Sequence, residues 1–178
     1  MLKIFKQKTN LKSETTMYKK ITNIDDELLF THAHQRELEK PNPVILDSIA
    51  RAELYIANTF IHLKHEAIHA LMLSTRSVLL ESRPILTGKF ALKELTTNLL
   101  ISHIIQASAT RLILIHHNPK GSLSIRDKHL LEATRIKDRL LEYSIWLDDF
   151  FLITKADTAN NSGYNRMNTT SLARLGLV

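Results

Sequence analysis

A chain of 178 residues with 44% apolar content is long enough to bury one hydrophobic core and reads as a single domain with flanking extensions. It holds no cysteine, which excludes disulfides, thiolate catalysis and cysteine-held zinc, so any metal would have to be held by His, Asp or Glu. The formal charge of +6 is concentrated: residues 1–20 carry Lys3, Lys6, Lys8, Lys12, Lys19 and Lys20 against Glu14 alone, which leaves the remainder near neutral and without a strongly basic face.

Residues 1–40 change pattern several times and are expected to form a basic N-terminal extension. Its lysines suit nucleic-acid phosphate or an acidic surface, and equally a solvated terminus. Residues 1–20 lack the apolar core of a signal peptide, and no later stretch offers the ~18 uncharged apolar residues of a membrane helix. A soluble, cytoplasmic protein is expected. His32-Ala33-His34 lies in polar surroundings without a carboxylate partner and reads as a chance H-x-H.

Pro41-Asn42-Pro43 marks a boundary, and Ile45, Ile49, Ala52, Ile56 and Phe60 then recur at helical spacing, which predicts a helix to about residue 61. Residues 68–73 and 78–82 are short apolar runs joined by the polar connector Ser74-Thr75-Arg76-Ser77, suited to a hairpin. Pro84 and Gly88 are expected to break up the next segment. A mostly apolar helix is predicted over 92–107 and a fully buried strand over 112–115. A helix over 124–143, with Leu130, Ala133, Ile136 and Leu140 on one side, and a strand within 145–153 come next. Residues 157–178 are polar and read as a loosely attached tail. Helices alternating with strands predict an α/β layered domain with a mixed sheet.

The most informative stretch is residues 111–127, RLILIHHNPKGSLSIRD: a buried strand ending in histidines, a Pro/Gly turn, then Ser124 and Asp127 as S-x-x-D at a helix start. It resembles the RadC form of the JAMM (JAB/MPN) metallopeptidase motif, H-N-H-P-S-G followed by S-x-x-D. The resemblance extends through the order of elements from about residue 47 to 153. Glu66 opens a strand, Leu86-Thr87-Gly88 stands where the family has a G-T element, Lys93-Glu94-Leu95 is similar to R-E-V, and IWLDDFFLI is similar to L-D-H-I-I. It implies a JAB/MPN fold, cytidine-deaminase-like, with a mixed β-sheet flanked by helices, over residues 41–156.

The resemblance also implies roles. His116 and Asp127 match zinc ligands, Glu66 the general acid/base acting on metal-bound water, and Ser124 a supporting serine. The second ligand histidine is replaced: that place is Asn118, and the family's H-N-H has become His116-His117-Asn118. Along a strand, residues i and i+2 share a face while neighbours oppose. Residue 118 is therefore placed to converge with His116, and His117 is not unless the strand end bulges. An amide oxygen is a poor zinc ligand beside imidazole. The loop between Gly121 and Ser124 is two residues shorter than the family's, and Lys120 stands where the family has serine. Lys120 either neutralises Glu66 and Asp127 or points into solvent.

Simpler readings exist for each residue. Ser124 and Asp127 suit a helix cap, and Glu66 an edge-strand carboxylate. His65 and His69 lie on one face well apart, His103 and His129 are ordinary helix residues, and Asp148-Asp149 suits a turn or edge. Three functions are open. The first is a RadC-like protein with impaired or lost zinc catalysis, a pseudoenzyme without metal that would bind a peptide or protein. The second is an active zinc-dependent hydrolase of peptide or isopeptide bonds, using His116, His117 and Asp127 with Glu66 as acid/base. The third is a nucleic-acid-associated module of DNA-repair type, using the lysine-rich extension. The oligomeric state is left open.

Overall fold

A computed structural model describes residues 42–90, 92–120, 125, 127–155 and 167–178, together with Gln35. The basic extension up to residue 34, the pair His32 and His34, and Ser124 lie outside the described residues.

Five strands form one mixed sheet: β1 (Ala67–Leu73), β2 (Leu79–Thr87), β3 (Arg111–His117), β4 (Trp146–Lys155) and β5 (Met167–Ser171), in the order β2-β1-β3-β4-β5. Only β3 and β4 run parallel; every other neighbouring pair is antiparallel. Among the described residues three α-helices cover it: α1 (Ile49–Phe60), α2 (Thr97–Gln106) and α3 (Asp127–Leu141). Every residue of β1 is buried, and β3 is buried after its first residue, because the inner strands are covered on both faces.

The period of two divides the core. Ile68, Ala70, Met72, Leu112 and Leu114 pack on one face with Leu100, Ile104, Ala133, Ile136 and Leu140 of α2 and α3. Leu71, Leu73, Ile113 and Ile115 face the other way, onto Ala52, Ile56 and Phe60 of α1. The three α1 residues recur every four positions, so one stripe docks the helix. Ser48 starts it by accepting the Arg51 N–H at 3.3 Å. These observations make the domain α/β, a mixed sheet between helices, as expected. Among the described residues no helix is long and apolar enough to cross a membrane.

Several local expectations change. The helix predicted over 92–107 is split into a 3₁₀ turn, Leu92–Glu94, and α2, because Thr96 adopts an extended backbone and caps the Leu99 N–H. Pro84 does not interrupt β2: the strand lies at the sheet edge, where a missing donor is tolerated, and the register shifts opposite it between Ile68 and His69. Gly88, with φ +87°, turns the chain after β2, a conformation glycine adopts without Cβ strain.

Residues 167–178, expected as a loose polar tail, supply β5 and bury Leu172 in the core. Asp149 fastens them. Its carboxylate accepts the Ser171 hydroxyl at 2.5 Å, the Ala173 N–H at 3.0 Å and the Phe150 N–H at 2.7 Å. Burial raises its pKa above the usual carboxylate value, against the lowering effect of those donors. The neighbouring Asp148 sits at a bulge in the β3–β4 pairing and binds Arg111 Nε at 2.9 and 3.0 Å. Both acids therefore have structural partners.

Candidate functional site

The C-terminal end of β3 meets the N-terminal end of β1, with His116 opposite Ile68 and His117 opposite Ala67. The ladder is regular here. The Asn118 N–H donates to Ile153 O at 2.9 Å, continuing the β3–β4 pairing. The Gly88 N–H donates to Glu66 O at 2.9 Å, holding the residue before β1. The register shift in the β3–β4 pairing falls at the other end of β3, between Leu112 and Ile113. His116 and His117 therefore keep strict alternation and take opposite faces.

His116 lies on the face of α2 and α3, 5% exposed. Its Nε2 is 2.8 Å from Glu66 Oε1. An ionised carboxylate has no proton to give, so Nε2–H is the donor and that nitrogen has no lone pair to offer. Burial pulls the His116 pKa below 6.5, outweighing the hydrogen bond and charge of Glu66, and Lys128 lowers it further. The contact at neutral pH is a neutral imidazole donating to a carboxylate. The rings of His129 and Phe90 complete the surroundings, with centroids 5.7 and 5.9 Å away.

His117 lies on the α1 face, 1% exposed. Its Nδ1–H donates to His65 O at 2.9 Å. Burial again lowers its pKa, against the pull of that carbonyl. It shares this face with His69, whose pKa is lowered to about 4, first by burial and then by His117.

Asn118 leaves the sheet as a turn residue. Its Oδ1 accepts the Lys120 N–H at 3.2 Å, so the amide oxygen already has a backbone donor. Lys120 is exposed, and the ion pairs among the described residues do not include it. Asp127, the first residue of α3, is exposed, while His129 is buried. Two residues along a helix turn about 200°, so facing His129 to the core turns Asp127 away from it.

The side chains at the motif positions do not fit a zinc centre in this arrangement. One imidazole has its Nε2 engaged by Glu66, one faces the other side, the amide is engaged in a turn, and the carboxylate faces solvent. Among the described residues no three His, Cys, Asp or Glu side chains come together around a common point. His129 is the site neighbour that sequence reasoning passed over. The signal was present: positions 129, 133, 136 and 140 form one helical stripe, and all four are buried. Phe90, in the connection after β2, had no sequence signal of its own.

A mixed sheet between helices, with a glutamate before one strand and a histidine at the end of its neighbour, defines a JAB-type α/β domain. The chain belongs to the RadC-like JAB domain family, whose model matches residues 46–163. β5 lies beyond that match. A search of curated proteins finds no match.

Proposed function

We propose that this RadC-like JAB protein has impaired or lost zinc-dependent hydrolysis and acts as a binding module for a peptide or protein. The observation that carries this reading is the direct hydrogen bond between His116 Nε2 and Glu66 Oε1. A metal hydrolase of this type needs the imidazole lone pair on the metal and the glutamate free to move a proton of bound water. Here each group satisfies the other. Asn118 in place of histidine and the opposite orientation of His117 support the same reading, since each removes one strong donor from the set.

The test is calorimetric zinc titration of the metal-free full chain at neutral pH, with His116→Ala and Asp127→Ala in parallel. The expected result is no zinc binding that either substitution abolishes. One zinc per chain, lost in both variants, would overturn the reading and justify a peptidase screen.

A further inference from the structure

On the α1 face of the sheet, away from the family motif, we infer a two-histidine site for a soft monovalent cation, Cu(I), held by Nε2 of His69 on β1 and Nε2 of His117 on β3. Both nitrogens are buried without a hydrogen-bond partner among the described residues. Orphaned buried donors or acceptors are rare and call for an explanation. Pairing of His69 with Ile115, and of Ala67 with His117, sets the two histidines at diagonal positions on one face, within side-chain reach across the strands.

The tautomer of His117 is fixed. Its Nδ1–H donates to the His65 carbonyl at 2.9 Å, which can only accept, so the neutral ring presents a bare lone pair at Nε2. A backbone carbonyl behind the far nitrogen is the arrangement that orients histidine ligands in metal sites. Depressed basicity keeps His69 neutral at pH 7, as a ligand must be.

The surroundings select the cation. The Phe60 ring packs against His69 at 4.7 Å between centroids, and Ile115 and Ile153 line the same apolar cluster. Neither Nε2 is open to solvent, so no shell of water is at hand to complete a tetrahedral dication. Of the groups acting electrostatically on His117, Lys155 and His116 oppose a cation and Glu66 favours it, which leaves no surplus negative charge for a divalent ion. Among the described residues no third His, Cys, Asp or Glu joins the pair. Two neutral imidazoles in buried, apolar surroundings match a closed-shell monovalent ion that accepts two ligands.

The experiment titrates the metal-free full chain with Cu(I) under nitrogen, in competition with the chromophoric chelator bicinchoninate. The histidine nitrogens are followed by ¹⁵N NMR on the wild-type protein. One Cu(I) per chain is expected, with Nε2 of His69 and His117 shifting and the ring nitrogens of His116 unmoved. His69→Gln and His117→Gln should each weaken binding by about 100-fold or more. The NMR readout needs no substitution, so a variant that fails to fold does not blunt the test. Failure to compete with the chelator, or shifts confined to other histidines, would overturn the site. The two tests remain distinguishable, because zinc is read through His116→Ala and Asp127→Ala and copper through the ring nitrogens of His69 and His117.

Discussion

Glu66 Oε1 and His116 Nε2 lie 2.8 Å apart, and this contact joins the two strand ends that carry the family's site. His116 is buried, so removing its acceptor strands an N–H away from water. Glu66→Ala is expected to destabilise the metal-free protein by about 1–3 kcal/mol, the cost of an unsatisfied buried polar group. Urea unfolding in the presence of a chelator measures it. A Glu66→Ala protein as stable as wild type would mean that the hydrogen bond contributes nothing to the fold.

Asn118→His restores an imidazole two positions from His116, on the same side of the strand direction. Zinc affinity should rise about tenfold or more, at the cost of the turn contact to the Lys120 N–H. Zinc titration of the variant against wild type gives the answer. An unchanged affinity would show that residues 116 and 118 are not paired ligand positions.

Stability should fall as the medium is acidified from pH 7 toward pH 4. His69 has a pKa of about 4 in the folded protein against 6.5 ordinarily, so below pH 6.5 the unfolded chain binds the proton that the native state refuses. The contribution is fully present above pH 6.5 and is lost as pH falls through 4, at a cost of roughly 2–3 kcal/mol. His116 and His117 are shifted in the same direction. Asp148 and Asp149, raised by burial, act in the opposite sense at the acid end of this range. Urea midpoints at pH 7 and pH 5 should differ, and His69→Gln should flatten the difference. A pH-independent midpoint would rule out a buried neutral His69.

Asp149→Ala removes the acceptor for Ser171 Oγ, Ala173 N and Phe150 N together. The expected loss is about 2–4 kcal/mol, with hydrogen exchange accelerated over residues 167–175 before the rest of the sheet. Uniform acceleration across all five strands would mean that β5 and the inner sheet open as one unit.

Ile56 is fully buried in the stripe that docks α1. Ile56→Ala should cost about 2–5 kcal/mol through lost transfer energy and the cavity left behind. Thermal or urea unfolding would read it directly. A loss under about 1 kcal/mol would mean that α1 re-docks without this contact.

The order of elements was legible because the inner strands are apolar without alternation and the helices carry one stripe each. The S-x-x-D helix start and the buried strand before it were visible for the same reason. β5 was not: Met167–Ser171 reads MNTTS, polar and short, as an edge strand can be when one partner and one side-chain clasp hold it. The sequence pattern predicts too short a β2 because a proline signals interruption, and only the strand's place at the sheet edge makes that proline harmless.

Sequence alone determined that His116 and His117 take opposite faces of any strand that runs on without a bulge, since the two-residue period is a local property of the backbone, and the regular β1–β3 pairing shows such a strand. It also determined that no cysteine takes part in any site. Only the tertiary structure decided that Glu66, fifty residues before His116, reaches its ring, and that His69 shares a buried face with His117. Local periodicity sets which way a side chain points. Which side chains then meet depends on strand order and register, and those are settled by packing both faces of the sheet at once.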